Sequence, residues 1–519
     1  MTDCQISTVL ASIQIRVEEL GDAPCIVTGD QRVSYQELWG LARRVEGFLK
    51  QKGVQAGDRV ALITDNCPQY AAVFYGALLA GAAVVPMNTS AKMRDFANWL
   101  AHSGAKVAFV DFVPRELQKL PAEQLGTALV AINEREALPG PLQDLGLSCW
   151  DDVLAQNVPE TAPEVQRGAD ELACIIYTSG TTGNPKGVMI SHGNLVANVK
   201  SILAVLPIEQ GDRFLNVLPF YYSYGNSVLH THLVQGATLV LENSMMFPNV
   251  VAKKLAQESI TGFAGVPSTF SLLLSRGKLE EHDLSRLRYV LQAGGAMPVP
   301  VTQQLLKQFS EHVYVMYGQT EATARLTWLP PSRLIEKLGS VGIPIEGVNI
   351  QIRHPDGSPC AVGEAGELFV QGENVALGYW DNEVATAGTF IDGWLKTGDL
   401  GYKDSDGFIY LKGRRSDMIK SGANRISPLE IEEVIVELPN VEEVAVIGIA
   451  DEMLGQSIAA FLVLKQGSSL DVRAVKKHCL DNLASYKIPK QILQVDALPK
   501  TASGKVKKHI LAEQVGEKS

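Results

Sequence analysis

A cluster of small, hydroxyl-bearing and basic residues follows a short apolar run that ends near residue 177. The run "ELACIIY" is rich in β-branched residues, which is typical of a buried strand, and "TSGTTGNPKG" follows it at 178–187. Glycines let backbone N–H groups approach an anion where a Cβ would obstruct, and hydroxyls and a lysine add further donors. A plain surface loop rarely combines these features, so the segment predicts a phosphate-binding loop made of Thr178, Ser179, Gly180, Thr181, Thr182, Gly183 and Lys186. It is not a Walker A loop, because no Gly-Lys-Ser/Thr follows a glycine at the required spacing.

The elements around this loop predict layered α/β architecture. Ser191 is a suitable N-cap for a helix that follows, so we expect a strand–loop–helix unit here. Strands and helices alternate from the start to about residue 330, which indicates parallel α/β layers. Short strands and turns replace this alternation at 339–411, and they predict a small, mostly antiparallel β subdomain.

We therefore expect a large N-terminal domain at 1–412, a hinge at 413–418 and a small, mobile α+β C-terminal domain at 419–519. The large domain divides at about 1–170, 171–330 and 331–412 into two α/β subdomains and the β subdomain. In the small domain, Ser427-Pro428-Leu429-Glu430 matches a capping box with proline at the first helical position.

Composition narrows the class of protein. The chain has 519 residues and a formal net charge of −11, so it lacks the basic footprint of a nucleic-acid-binding protein. Its seven cysteines form no CxxC motif, which favours a reduced cytoplasm over disulfides or zinc, and His230 and His232 lack further ligands nearby. The longest apolar stretch, "AAVFYGALLAGAAVVP", contains glycines and predicts a buried helix–turn–strand instead of a membrane span.

Eight segments stand in an order that resembles the adenylate-forming superfamily of acyl-CoA synthetases, peptide-synthetase adenylation domains and luciferases. The phosphate loop is the first, and the resemblance extends over essentially the whole chain. The other seven are "LPFYYSYG" at 218–225, "AGGAMP" at 293–298, "MYGQTEA" at 316–322, "GELFVQGENVALGYW" at 366–380, "GWLKTGDLGY" at 393–402, "GRRSDMIKSGANRISPLEIE" at 413–432 and "LPKTASGKVKK" at 498–508.

The resemblance implies a two-step reaction. A carboxylate attacks the α-phosphate of ATP to give acyl-AMP and pyrophosphate, and a thiol then accepts the acyl group as a thioester. Both reactants of the first step are anions, so positive charges and N–H donors must stabilise the charge that develops at phosphorus. The cofactors implied are ATP, Mg²⁺ and either coenzyme A or the phosphopantetheine arm of a carrier protein.

The resemblance also assigns roles to individual residues. Glu321 is expected to hold Mg²⁺, Thr320 to reach the α-phosphate, and Lys505 to bridge the carboxylate and phosphate oxygens when the small domain closes. Tyr317 is expected to stack on adenine, with Gly318 beside it and the backbone of Gly294, Gly295 and Ala296 on the other face. Asp399 and Arg414 are expected to bind the ribose hydroxyls, Gly422 to line the pantetheine entrance, and the phosphate loop with Lys186 to cover the β- and γ-phosphates.

Two positions depart from the family pattern. The hinge position is Ser416, where Asp or Lys is usual; serine is small enough to absorb a dihedral change. Tyr221-Tyr222 replaces an aromatic-plus-histidine gate, and no acid occurs at 218–236, which disfavours an α-amino acid because its ammonium would lie unpaired. The expected acid pocket of Tyr222, Ser223, Val266, Ser268 and Gly294 suits an uncharged acyl or aryl group.

The resemblance leaves three functions open. The leading one is an acyl-CoA synthetase for a fatty or aryl acid, a small-molecule partner. The second is a stand-alone enzyme that loads a carrier protein, since both use the same thiol. The third is a non-catalytic descendant. The chain retains all five of the expected reactive residues, which argues against it: Lys186, Glu321, Asp399, Arg414 and Lys505. Chain length of the acid, the acceptor and the oligomeric state are not encoded in these motifs.

Overall fold

The computed structural model describes residues 7–112, 126–143, 147–158, 163–178, 186–309, 312–421, 424–451, 454–501 and 504–516. The chain is of the mixed α/β class, with a large N-terminal part and a small C-terminal part, as its sequence predicts. The domain boundaries drawn from the sequence stay predictions.

The first part of the chain alternates helices and strands up to the phosphate-loop region. Its helices are α1 (Val9–Leu20), α2 (Tyr35–Gln51), α3 (Pro68–Leu79), α4 (Met93–Ser103), α5 (Gly140–Gln143), α6 (Trp150–Leu154) and α7 (His192–Val205). Its strands are β1 (Pro24–Thr28), β2 (Gln31–Ser34), β3 (Arg59–Ile63), β4 (Ala83–Pro86), β5 (Val107–Val110), β6 (Ala128–Ala131), β7 (Leu172–Thr178) and β8 (Lys186–Ser191).

The alternation continues beyond residue 205. The helices are α8 (Ser223–Gln235), α9 (Pro248–Gln257), α10 (Pro267–Arg276) and α11 (Val299–Phe309), with a 3₁₀ turn at Thr320–Ala322. The strands are β9 (Arg213–Asn216), β10 (Thr238–Leu241), β11 (Gly262–Gly265), β12 (Tyr289–Gln292), β13 (Val313–Tyr317) and β14 (Thr327–Leu329).

Antiparallel strands and a final α+β unit complete the chain. The strands of the first group are β15 (Ser340–Pro344), β16 (Asn349–Arg353), β17 (Gly366–Gln371), β18 (Gly378–Tyr379), β19 (Phe390–Ile391), β20 (Trp394–Lys403) and β21 (Ile409–Arg414), with α12 at Glu383–Thr389. The final unit contains β22 (Ile419–Ser421), β23 (Asn424–Ile426), α13 (Pro428–Val436), β24 (Val441–Asp451), β25 (Gly455–Leu464), α14 (Val472–Asn482), β26 (Gln491–Gln494) and α15 (Lys508–Gly516).

The strands do not sort into sheets in chain order. One continuous sheet follows the order β16-β17-β20-β21-β15-β14-β13-β12-β11-β9-β10-β1-β2, so β1 and β2 join strands formed two hundred residues later. A second sheet has the order β18-β8-β7-β4-β3-β5-β6, and a third, in the C-terminal part, has the order β23-β22-β25-β24 with β26 beside β25. Parallel pairs such as β3–β4 and β11–β12 are covered by helices, as buried parallel strands require.

Local chemistry explains several element boundaries. Ser191 caps α7 by accepting from the Asn194 N–H at 3.1 Å, as its position predicts. The expected strand–loop–helix is wrong in one respect: Lys186–Ser191 forms β8, which folds back antiparallel on β7 before the helix begins. Ser427 caps α13, but the Glu430 carboxylate pairs with Lys487.

The apolar stretch at 71–86 forms the buried end of α3 followed by β4, as expected. His230 and His232 lie on α8 and are fully buried, so they belong to the core. Among the described residues, no helix combines the length and the apolarity that crossing a bilayer requires.

Candidate active site

The hairpin of β7 and β8 holds the two ends of the predicted phosphate loop together. Thr178 lies opposite Lys186 in the register, and Thr178 Oγ1 donates to the Lys186 carbonyl oxygen at 3.5 Å. Lys186 Nζ lies 4.8 Å from the centroid of the Tyr379 ring. Residues 179–185 lie outside the described residues, so the loop positions Ser179, Gly180, Thr181, Thr182 and Gly183 stay predictions.

Thr320 and Glu321 lie on a 3₁₀ turn that follows the C-terminal end of β13, a strand inside the large sheet. Ser223, the first residue of α8, lies with its Oγ 3.0 Å from Thr320 Oγ1. The Tyr379 hydroxyl donates to Glu321 Oε1 at 2.9 Å. The turn thus presents a hydroxyl and a half-buried carboxylate side by side, next to the residue predicted to border the acid pocket.

The backbone after this turn is strained. Thr323 has φ of 67°, a left-handed conformation that a β-branched residue rarely adopts. Its Oγ1 donates to the Asn374 carbonyl oxygen at 2.7 Å, which holds it there. A Cβ at Gly318 would lie 1.8 Å from the Ala324 carbonyl oxygen, so only glycine fits at that position. The chain therefore returns closely over Gly318 immediately after the turn that carries Glu321.

Tyr317, Asp399 and Arg414 meet at the adjoining edge of the sheet. Asp399 and Arg414 lie opposite each other on β20 and β21, and Arg414 Nε is 3.3 Å from Asp399 Oδ1. The Tyr317 hydroxyl donates to Asp399 Oδ2 at 2.6 Å. Both oxygens of this buried carboxylate therefore have a fixed partner, and each oxygen can still accept a further hydrogen bond.

Charges in this group shift the pKa values of its members. Desolvation raises the pKa of the Tyr317 hydroxyl well above its usual range, and the Asp399 carboxylate raises it further. Although burial opposes the charged form of Arg414, the Asp399 and Glu321 carboxylates raise its pKa. The guanidinium is thus held charged beside the site.

In the wall of the predicted acid pocket, the backbone of Gly294 lies close to neighbouring side chains. Gly294 has φ of 85°, and a Cβ there would lie 2.9 Å from Val266 Cγ1. The same position is 3.7 Å from Tyr224 Cδ1, which brings Tyr224 to this wall. The Gln292 amide donates to the Gly295 carbonyl oxygen at 2.9 Å and fixes the "GGA" turn, which also contains Ala296.

Tyr222 lies at the start of α8 on the other side of Ser223. Asn88 Nδ2 donates to the Tyr222 hydroxyl at 3.2 Å, and the rings of Tyr221 and Tyr222 are 4.7 Å apart. The pair is therefore fixed by contacts from the first part of the chain.

An arginine that sequence reasoning missed lies behind Tyr224. Arg325 is 2% exposed, and its guanidinium carbon is 4.3 Å from the centroid of the Tyr224 ring. It donates to Met316 Sδ at 2.8 Å and to Ser227 Oγ at 3.3 Å, and within the described part of the chain it forms no ion pair with an acid. A buried cation without an anionic partner is costly, and it makes this side of the pocket positive.

The loop that carries Lys505 reaches into the same cleft from the C-terminal part. Thr501 and Lys505 close the loop through a backbone hydrogen bond of 2.7 Å and a Thr501 Oγ1 bond of 3.0 Å. A Cβ at Gly504 would lie 2.8 Å from Ser268 Oγ and 2.9 Å from Val266 Cγ2. The small domain thus touches the acid-pocket wall at Gly504, one residue before the lysine.

Three charged groups lie near enough to the Lys505 ammonium to influence its pKa. Desolvation in the cleft lowers the pKa of Lys505 and so does the Arg414 guanidinium, whereas the Asp399 and Glu321 carboxylates oppose this shift. Its side chain remains solvent-accessible. The structure therefore brings together Lys505, Glu321, Asp399 and Arg414, residues that lie far apart in the sequence.

The segment predicted to be the hinge follows Arg414 directly and makes local contacts. The Ser416 hydroxyl donates to Asp417 Oδ1 at 2.9 Å, and Arg415 pairs with the buried Glu367 carboxylate at 2.9 Å. Gly422 lies outside the described residues, so its role stays a prediction.

Comparison with known proteins identifies the family. The sequence profile of the AMP-binding enzyme family matches residues 13–380, and that of the AMP-binding enzyme C-terminal domain matches 430–505. The chain belongs to the AMP-binding enzyme family. The suspected resemblance to adenylate-forming enzymes is thereby confirmed.

Relatives of this AMP-binding enzyme are acid–CoA ligases. A 2-succinylbenzoate–CoA ligase of Bacillus licheniformis is 33% identical over 500 residues, 96% of this chain and 98% of the relative. A long-chain fatty acid–CoA ligase of Mycobacterium tuberculosis is 32% identical, covering 93% of each chain. The crystal structure of an anthranilate CoA ligase in complex with anthranoyl-AMP superposes with a TM-score of 0.89 at 26% identity, over 99% of this chain and 98% of that one. This enzyme is accordingly an AMP-forming acid–thiol ligase.

Four residues of the site lay outside the sequence-based assignment: Tyr379, Tyr224, Gly504 and Arg325. Tyr379 and Gly504 stand inside recognised motifs, "GYW" and "SGK", so the motifs could have pointed to them. Tyr224 also stands inside a motif, "LPFYYSYG", whereas Arg325 lies outside all eight, and its contact with Tyr224 depends on how the segment between β13 and β14 packs against α8.

Proposed function

We propose that this enzyme activates an aryl or fatty acid with ATP and transfers the acyl group to coenzyme A. The observation that carries the proposal is the convergence of Lys505, Glu321, Asp399 and Arg414 in one cleft. In the first step an acid oxygen bonds to the α-phosphorus and the bond to pyrophosphate breaks. In the second, the thiolate of coenzyme A attacks the acyl carbon and AMP leaves.

The residues present fit a nucleotide-bound Mg²⁺. Glu321 offers a half-buried carboxylate, and Mg²⁺ binds through one or two carboxylates plus substrate phosphates. Within the described chain, the only hydrogen bond to this carboxylate comes from Tyr379 to Oε1, which leaves Oε2 for a ligand. When bound, Mg²⁺ would neutralise phosphate charge and polarise the phosphorus centre.

The chain's own groups account for the positioning of the reactants. Asp399 accepts from the ribose hydroxyls, with Arg414 charged beside it, and Thr320 donates toward the α-phosphate. The loop of Lys505 contacts the acid-pocket wall at Gly504, so we expect its ammonium to stabilise negative charge on both reacting oxygens. Because Gly504 contacts Val266 and Ser268, we assign the described arrangement to the adenylation step.

The acid pocket favours a substrate that carries no ammonium group. Its residues are Tyr222, Ser223, Val266, Ser268 and Gly294, and the buried Arg325 cation lies behind the Tyr224 ring. An α-ammonium would meet this positive charge without a nearby acid to pair it, which is unfavourable. Uncharged aryl and alkyl groups avoid that cost.

Thioester formation tests the proposal. Purified enzyme, ATP, Mg²⁺ and coenzyme A would be supplied with a panel of aryl, fatty and amino acids, with pyrophosphate release and acyl-CoA measured. We expect aryl or fatty acids to give both products, and amino acids of matched shape to give neither. Acyl-AMP that reacts only with a holo-carrier protein would overturn coenzyme A as acceptor.

The same proposal places the enzyme in the reducing cytoplasm. The cysteines in the described part of the chain are all free, and most of them are buried, which supports that location.

A further inference from the structure

Tyr379 stands between the two groups expected to handle the phosphates. Its hydroxyl donates to Glu321 Oε1 at 2.9 Å, while the Lys186 ammonium lies 4.8 Å from the centroid of its ring. Tyr379 is 5% exposed and its two partners are half-buried, so both contacts are partly shielded from water. One aromatic residue thus contacts a cation through its face and an anion through its edge.

The backbone around Tyr379 is firmly held. β18 pairs with β8, which places Tyr379 opposite Val188, two residues after Lys186. The Tyr379 N–H donates to Thr386 Oγ1 at 2.9 Å, and the Phe390 ring packs edge-on at 5.6 Å. Since the ring and Lys186 belong to paired strands, their relative position is fixed by the sheet.

The chemistry of the ring explains why a tyrosine serves here. A hydrogen bond from a phenol to a carboxylate stabilises the ionised acid and fixes its orientation. A cation over an aromatic face is attracted without being neutralised. Without the ring, Lys186 and Glu321 would be free to pair, and each would then be engaged before the nucleotide arrived.

We propose that Tyr379 is a positioning residue that keeps the Glu321 carboxylate and the Lys186 ammonium separate and oriented for magnesium–ATP. The inference rests on the proposed function, because it takes the roles of Glu321 and Lys186 from that reaction. It adds a residue whose effect acts through both of them.

Two substitutions separate the two contacts. Tyr379→Phe removes only the hydroxyl, and Tyr379→Leu removes the ring as well. Tyr402→Phe is the matched control, because Tyr402 stacks on Tyr410 at 5.1 Å on β20 and makes no contact with Glu321. Equilibrium binding of ATP would be measured calorimetrically, both with Mg²⁺ and with a chelator.

We expect Tyr379→Phe to weaken magnesium–ATP binding by roughly tenfold, the scale of a lost hydrogen bond to a charged group, while binding without Mg²⁺ stays within about twofold of wild type. Tyr379→Leu should weaken binding in both conditions, and Tyr402→Phe in neither. In steady state, the KM for magnesium–ATP should rise in Tyr379→Phe more than kcat falls.

The outcomes distinguish this inference from the proposed function. If Tyr379→Phe bound magnesium–ATP as tightly as wild type, the positioning role would be overturned and the proposed function would stand. The same conclusion would follow if the variant lost equal ATP affinity with and without Mg²⁺. Wild-type enzyme that binds no ATP would contradict the proposed function and this inference with it.

Discussion

Asp399 and Arg414 face each other across neighbouring antiparallel strands, with Arg414 Nε 3.3 Å from Asp399 Oδ1. Tyr317 holds the second oxygen of the same carboxylate. The geometry of this part of the proposed nucleotide site is therefore set by strand register.

Substitution of Asp399 should weaken nucleotide binding strongly. Asp399→Asn keeps the shape but loses the charge that pairs with Arg414, so we expect AMP to bind roughly ten- to a hundredfold more weakly. Calorimetric titration with AMP checks this. Asp283→Asn, at an exposed acid, is the control and should bind AMP normally; equal affinity in both variants would contradict the ribose role.

Lys505 should be needed in only one half-reaction. Lys505→Ala should reduce acyl-AMP formation by roughly two to four orders of magnitude, because one positioned charge is lost from the transition state. The same variant, given preformed acyl-AMP, should still make thioester, and Lys507→Ala should do both. Gly422→Leu should fail in the opposite half-reaction. Equal impairment of both variants in both steps would rule out two domain positions.

The pH dependence of adenylation should reflect the depressed pKa of Lys505. Since desolvation and Arg414 lower this pKa below the usual lysine value of 10.5, the ammonium is lost at lower pH than in a free lysine. The adenylation rate should therefore fall as the pH rises through that lowered pKa. Lys505→Arg keeps its charge and should abolish the alkaline fall if it retains activity. Single-turnover rates across alkaline pH would measure this; an unchanged alkaline limb in Lys505→Arg would assign the limb to another group.

Gly504 should tolerate no side chain in the adenylation arrangement. Gly504→Ala would place a Cβ 2.8 Å from Ser268 Oγ, so it should slow acyl-AMP formation and spare thioester formation from preformed acyl-AMP. Gly467→Ala is a matched control, because the φ angles of Gly467 and Gly504 are nearly equal, 82° and 79°. A Cβ at Gly467, however, would have no atom within 4 Å. If both variants slowed adenylation alike, backbone strain and not the contact with the pocket wall would be the cause.

Removal of the unpaired Arg325 cation should cost little stability. Arg325→Met replaces a buried charge with an apolar chain of similar length, which is often neutral or stabilising. Arg43→Met is the comparison, because Arg43 pairs with buried Glu46 at 2.9 Å, and although Lys50 still pairs with that carboxylate at 2.7 Å, the change should destabilise the fold by about 1–3 kcal/mol. Denaturant unfolding measures both. Arg325→Met should also reject amino acids less strictly. A loss of unfolding free energy as large as that of Arg43→Met would point to an anionic partner of Arg325.

The sequence predicts those parts of the fold that depend on local pattern. β7, α3 and the cap at Ser191 follow from apolar runs and turn chemistry within a few residues. β8 was missed because "KGVMIS" is short and glycine-containing, and it becomes a strand only through pairing with β7 and β18. The partnership of β1 with β10 joins segments two hundred residues apart, which no local pattern encodes.

Some residues of the candidate site can likewise be predicted from local sequence, and others only from the tertiary structure. Motifs identify Glu321, Asp399 and Lys505 because their residue types suit the chemistry. Tyr379 depends on a strand pairing and Arg325 on helix packing, so their positions follow from tertiary structure. Sequence patterns thus indicate the groups proposed to react, and the fold adds the residues that contact them or their neighbours.

β21 has a consequence for the timing of catalysis. This strand pairs with β20 at Asp399, ends at Arg414, and leads directly to the predicted hinge at Ser416. The proposed ligand contact and the predicted pivot are therefore two residues apart along the chain. Rotation of the small domain would apply a torque directly to the guanidinium, so discharge of spent AMP and resetting of the enzyme for another cycle should occur as one mechanical event.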